Sequence, residues 1–386
     1  MTETILEFRS LPGLWREYAD TERSFAFKAE SIDDAQGWQQ RLRAELITLL
    51  GGFPAQACDL SPRILETRSE DGFTCQKVVI QTLPGEFMPC LVLVPHNPTG
   101  TAHLKPVIAL HGHGTWGAEA IVKAPGDPLG AALNQQLNYD YAGQLARRGY
   151  MVFVPELRGF GDRMEAPEYR EGEAQWISSC YAVGVNALLL GKTLLGLRIY
   201  DVMRLIDYIR TLPDRLASSL GCVGLSGGGM VTLFTAALDT RITCAVVSGY
   251  FNTFRNSIMA VHHCLCNFVP GIVRTAEMVD IAGLVAPRPL LIETGAQDPI
   301  FPTTATQQAY KELQNIYAVF PGTARTPRTP PHSAHRPAGG VPAGAVRAVC
   351  GAGGRCGAVQ NLDIDVFQGE HAWSGMKAYD WLAKHL

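Results

Sequence analysis

Apolar residues follow two rhythms along this chain, and the change from one to the other predicts its architecture. Residues 36–50 (QGWQQRLRAELITLL) carry apolar side chains at helical spacing, within residues 1–60 that read as an N-terminal helical extension. Extended runs follow at residues 64–68, 75–82 and 87–94. Asp71-Gly72 and Pro84-Gly85 separate them, and such dipeptides turn a chain back on itself, so the sheet is expected to begin antiparallel. From Val107 short β-type runs alternate with helical ones, which predicts a mainly parallel sheet covered on both faces. The runs lie at residues 107–110, 151–154, 222–225, 242–247, 290–293 and 362–367. Helices are expected at residues 139–148, at 375–386 and, as one long amphipathic helix, at 183–209, with Leu188, Leu195, Val202 and Ile206 in its apolar stripe.

Two stretches break this alternation. Residues 248–285 are longer than a crossover between strands needs, and part of them is expected to form a small helical cap over the site. Residues 321–358 consist mostly of Ala, Gly, Pro and Arg, with no aromatic, Lys, Asp or Glu. That composition cannot bury a core, so a disordered insertion is expected there. The rest, residues 61–386, reads as one α/β domain.

Composition narrows the class of partner. The 386 residues are 47% hydrophobic and 18% charged with a net charge of −3, which gives no electrostatic reason to expect nucleic acid or an anionic membrane. Met1-Thr2-Glu3-Thr4 lacks the basic-then-apolar layout of a signal peptide, and Lys192 and Arg198 interrupt the longest apolar candidate for a membrane span. Ten cysteines are too dilute for a disulfide framework and read as reduced, buried thiols in a cytoplasmic protein.

The chemistry centres on residues 222–238. A β-type run ends in Gly224-Leu225-Ser226-Gly227-Gly228, and a helix-forming apolar run follows at once. This is the strand-turn-helix setting of a nucleophile elbow, in which a sharp turn exposes the serine above the sheet and aims the N-terminus of a helix at it. A serine hydroxyl needs a base to take its proton, and the base needs an acid to hold its tautomer. Asp298 follows the predicted strand 290–293, and His371 follows the predicted strand 362–367, which puts both at the carboxyl edge of the sheet in the chain order such sites use. Glu293 is the rival acid, but a residue within a strand points to a face of the sheet. His332 and His335 fall in the low-complexity segment, and His385 sits too near the terminus.

The oxyanion of an acyl-transfer intermediate needs two donors. One is expected from the backbone N–H of Gly227 and the other from the loop after residues 107–110, with His113 N–H ahead of Gly112. Trp116 and Trp373 flank the oxyanion loop and the histidine and are candidates for the pocket wall. No metal is expected. His111 and His113 lack a third ligand at useful spacing, and His262-His263-Cys264-Leu265-Cys266 fits no zinc pattern and reads as pocket lining or core. Gly191-Lys192-Thr193 is not a phosphate loop, since Asn186 stands where its first glycine belongs.

These residues carry a family resemblance. From His111-Gly112-His113-Gly114 through Gly224-Leu225-Ser226-Gly227-Gly228 to Gly369-Glu370-His371 the chain resembles bacterial α/β-hydrolases of the dienelactone hydrolase and acetyl xylan esterase-like group, over residues 75–320 and 360–386. The resemblance implies an α/β-hydrolase fold with a mostly parallel sheet of about eight strands and a Ser226-His371-Asp298 triad. It further implies no cofactor and hydrolysis of carboxylic esters, often small acyl groups on sugars or other alcohols. Dienelactone hydrolases proper carry a cysteine nucleophile, so Ser226 carries no implication of lactone specificity. The expected partner is a small-molecule ester, and the oligomeric state, a homodimer included, is left open. Two alternatives differ in class. One is a peptidase or aminoacyl esterase similar to prolyl oligopeptidases, for whose propeller the residues before position 100 are too few. The other is a non-catalytic binding protein on the same fold.

Overall fold

The computed structural model describes residues 8–98, 103–123, 126, 128–212, 216–320 and 360–386. The expected insertion at residues 321–358 lies outside these. Nine strands form one sheet: β1 (Arg63–Glu70), β2 (Phe73–Leu83), β3 (Glu86–Pro95), β4 (Pro106–Leu110), β5 (Met151–Pro155), β6 (Gly221–Leu225), β7 (Cys244–Ser248), β8 (Leu290–Gly295) and β9 (Leu362–Phe367). Their order is β1-β2-β3-β5-β4-β6-β7-β8-β9. The strands from β1 to β3 are antiparallel to one another and β3 is antiparallel to β5, whereas all later pairings are parallel. The order reverses at β4, which has β5 on one side and β6 on the other. Loops leaving the carboxyl ends of adjacent strands part there and open a crevice, where α/β sheets bind ligands.

The central strands are buried from end to end because both faces are covered. Their side chains alternate between two cores: Ile108, Leu110, Cys222, Ala245, Val247, Leu290 and Ile292 face one, and Val107, Ala109, Val223, Val246 and Leu291 face the other. The helices are α1 (Leu11–Asp20), α2 (Ile32–Leu49), α3 (Pro128–Leu137), α4 (Tyr141–Arg147), α5 (Cys180–Leu189), α6 (Leu194–Thr211), α7 (Gly227–Leu238), α8 (Ile272–Thr275), α9 (Met278–Gly283), α10 (Thr303–Ala318) and α11 (Ala378–His385). Ser31 caps α2 by accepting from Asp34 N–H, and Ala35, Trp38, Leu42 and Leu46 bury one stripe of it in the first core.

The long helix expected over residues 183–209 is two helices, bent by 98° at residues 190–193. Gly191 takes φ 69° and Thr193, in extended conformation, caps α6 by accepting from Gly196 N–H. The Thr193 hydroxyl donates to Leu50 O, which fixes the break against the end of α2. Leu195, Val202 and Ile206 are buried as expected, but Leu188, before the break, is 37% exposed. Among the described residues no single helix is long and apolar enough to cross a membrane.

Candidate active site

Ser226 joins β6 to α7 with φ 58° and ψ −119°, a left-handed strained conformation that a non-glycine residue adopts only when its surroundings enforce it. The enforcement comes from the contact between α7 and the sheet. A Cβ on Gly228 would lie 1.8 Å from Leu110 O, and one on Gly224 would lie 2.4 Å from the Gly228 carbonyl carbon. Only glycine lets helix and strands approach this closely. Because the obstructing atoms are backbone, Gly228→Ala is expected to destabilise the fold by about 3 kcal/mol or somewhat more, the upper end of what overpacking costs. Denaturant unfolding of the variant measures it, and a loss under about 1 kcal/mol would show that the contact relaxes.

Asp298 lies in the loop after β8. Its buried Oδ1 accepts from Ile300 N–H at 2.8 Å and Phe301 N–H at 2.9 Å, leaving Oδ2 to accept from His371 Nδ1 at 2.7 Å. His371 follows β9, and its ring stacks on Phe301 with centroids 5.6 Å apart. Nδ1 is therefore the protonated nitrogen and Nε2 carries the free lone pair. Nε2 is buried and has no hydrogen-bond partner among the described residues, so Ser226 Oγ is not bonded to it in this conformation. Both side chains line one cavity of about 490 Å³. Resting sites often hold such a contact open until substrate closes it.

Glu293, the rival acid, is buried within β8, where its Oε1 accepts from Gly375 N–H at 3.0 Å. Burial, and then the nearby Asp365 carboxylate across the β8–β9 register, push its carboxyl up to about 8. A folded-state value above the ordinary 4.5 means that the fold binds the proton more tightly than the unfolded chain. Stability is then full below about pH 4.5 and falls as pH rises through about 8, by on the order of a few kcal/mol. Glu293→Gln is expected to flatten that decline. Melting temperatures of both proteins between pH 5 and 9 test this, and parallel curves would remove Glu293 as its source.

The loop after β4 holds the two N–H groups considered for the oxyanion. Gly112 N–H donates to Tyr139 Oη at 2.6 Å and is occupied. Among the described residues His113 N–H and Gly227 N–H have no hydrogen-bond partner, and His113 Nδ1 lies 2.8 Å from where a Cβ on Gly227 would stand. The loop is braced from below. Glu156 accepts from Ala118 N–H at 3.1 Å, and His111 Nε2 accepts from Leu157 N–H at 3.1 Å. His111 Nδ1 donates to Gly112 O at 2.8 Å, so this histidine is fully engaged in the scaffold.

The two tryptophans expected at the pocket wall pack elsewhere. Trp373 is 1% exposed, stacks on Tyr141 at 4.6 Å and donates to Tyr379 Oη, and Trp116 packs against the same core. The wall is instead built from Leu133, Leu137, Tyr139, Trp176, Tyr250 and Phe301, with His262, His263 and Cys264 from the segment at residues 248–285. Burial, followed by the charges of His113, His371 and His262, lowers the His263 imidazole to about 4, so it is neutral at physiological pH.

The architecture is shared with solved structures. A "putative acetyl xylan esterase" from Bacteroides fragilis NCTC 9343 superposes with a TM-score of 0.65 and 18% identity, over 81% of this chain and 80% of that one. The fold is that of the α/β-hydrolases. A glucuronoyl esterase from Solibacter usitatus shares this α/β-hydrolase fold with a TM-score of 0.57 and 13% identity, over 95% of this chain and 98% of that one. In sequence, "Putative hydrolase YtaP" from Bacillus subtilis (strain 168) is 30% identical over 183 residues. That match takes in 46% of this chain and 56% of the other protein, so the chain spans little more than half the length of the curated relative it matches. No protein-family model matches the chain.

Proposed function

We propose that this chain is a serine carboxylester hydrolase that removes small, acetyl-type acyl groups through an acyl-enzyme. The observation that carries the reading is the convergence of the strained Ser226 with the Asp298-anchored His371 on one cavity of about 490 Å³. In this reading His371 Nε2 takes the Ser226 proton as Oγ bonds to the ester carbonyl carbon. The oxyanion accepts from Gly227 and His113 N–H. The intermediate collapses as His371 passes its proton to the departing alcohol, leaving an acyl-serine. Water then attacks the acyl carbon, gives its proton to His371, and the proton returns to Ser226 Oγ as the acid leaves. Asp298 Oδ2, accepting from Nδ1, holds the imidazolium in place.

The acyl class is supported by the apolar wall of Leu133, Leu137, Trp176 and Phe301 and by the fold shared with esterases of carbohydrates. A panel of 4-nitrophenyl esters of increasing acyl length, acetylated xylo-oligosaccharides and aminoacyl 4-nitroanilides tests it. The expected result is fastest turnover of acetyl esters with anilides left intact. Preferential anilide cleavage would favour a peptidase, and no turnover together with no labelling of Ser226 by a fluorophosphonate would favour a binding protein.

A further inference from the structure

Beside the oxyanion loop three segments of the chain bring soft ligand atoms together. His113 comes from the loop after β4, Cys180 opens α5, and Cys264 and Cys266 lie in the segment at residues 248–285. One ligand atom each from His113, Cys180 and Cys264 lies within 4.8 Å of the other two. Cys266 Sγ is 3.2 Å from His113 Nε2. Cys180 and Cys266 are buried, and His113 and Cys264 are half-buried. We propose that His113, Cys180 and Cys264 bind a soft divalent cation of the zinc class, with Cys266 as the nearest donor for the fourth position.

The donor set selects the ion. Thiolate and imidazole suit zinc and exclude magnesium or calcium, which require oxygen. Metal–sulfur and metal–nitrogen bonds of roughly 2.3 and 2.0 Å put these tetrahedral ligands roughly 3.5–3.8 Å apart, so side-chain movements of about 1 Å close the cluster. Charge is also provided for. Three thiolates and a neutral imidazole around a divalent cation leave one negative charge, and the buried Arg198 guanidinium donates to Cys180 Sγ from 3.0 Å while Arg158 O holds it in place. Asn267 Nδ2 lies 3.7 Å from Cys266 Sγ and donates to it. Binding releases the thiol protons to solvent. Cys264 lines the catalytic cavity, which gives the ion a route in. Chain spacing conceals the cluster, because Cys180 arrives from a helix remote in sequence from the His262–Cys266 run. A bound ion would tie the oxyanion loop to α5 and to the wall opposite, and so rigidify the backbone that carries His113 N–H.

The test is anaerobic titration of the reduced full-length protein with cobalt(II), followed by zinc(II). The expected result is a thiolate-to-cobalt charge-transfer band with intense tetrahedral visible bands, saturating at one equivalent and abolished by zinc. Cys180→Ser and the half-exposed Cys264→Ser should lose the charge-transfer intensity, while Cys58→Ser, whose thiol donates to Gln81 O and is not part of the cluster, keeps it. The melting temperature should rise with zinc concentration in the unaltered protein. Absence of a charge-transfer band at saturating cobalt, its persistence in Cys264→Ser, or a Cys180–Cys264 disulfide found by mass spectrometry in protein never treated with reductant would overturn the proposal. None of these readouts depends on ester turnover, so they stand apart from the catalytic reading.

Discussion

Ser226→Ala is expected to lower kcat for acetyl ester hydrolysis by about 10⁴-fold or more, to the residue left by the oxyanion donors and binding alone. The size follows from the loss of a covalent route, since among the described residues no other hydroxyl side chain lining this cavity stands on a positive-φ backbone. Removal of Oγ leaves the turn intact, because the strain at φ 58° belongs to the backbone and is imposed by the contact of Gly228 with Leu110 O. The variant should therefore unfold within about 1 kcal/mol of the unaltered protein, since alanine carries the same Cβ at that φ as serine does. Steady-state kinetics beside thermal unfolding separate the two effects. Retention of more than a tenth of the activity would move the nucleophile elsewhere.

The second large effect is expected at Asp298→Asn, with a fall in kcat of about 10³–10⁴-fold and little change in KM. Oδ1 accepts two backbone N–H groups at 2.8 and 2.9 Å, which fixes the side chain so that Oδ2 faces His371 Nδ1. An asparagine keeps its oxygen toward those two N–H groups and turns its NH₂ toward His371. The imidazole then accepts at Nδ1 and carries its proton on Nε2, the nitrogen that must be unprotonated to take the Ser226 proton. A fall in kcat that vanishes at high pH would instead point to a purely electrostatic role.

Only some of the information that positions these residues is local to the chain. The elbow is legible because its geometry admits only glycine at positions 224 and 228, and steric demand on so short a stretch is written directly into residue type. Asp298 and His371 are legible through topology, since residues just beyond a parallel strand must emerge at one edge of the sheet. Side-chain direction within a loop is not local, and Trp373 turns into the core toward Tyr141 although it stands two residues after His371. The break between α5 and α6 depends on Leu50 O accepting from Thr193, a partner from a distant helix. The brace of Glu156 under Ala118 and of Leu157 N–H under His111, and the arrival of Cys180 beside Cys264, are likewise contacts between segments with no shared motif. Apolar periodicity locates the sheet and helices; it carries nothing about which polar side chains meet across them.

A crystal structure of the protein inactivated by a small alkyl fluorophosphonate tests the central claim most directly. The expected result is phosphorus bonded to Ser226 Oγ, the phosphoryl oxygen accepting from both Gly227 and His113 N–H, and His371 Nε2 within hydrogen-bond distance of the serine oxygen while its Nδ1 still donates to Asp298. Phosphorus on another residue, or a phosphoryl oxygen turned away from those two N–H groups, would contradict it.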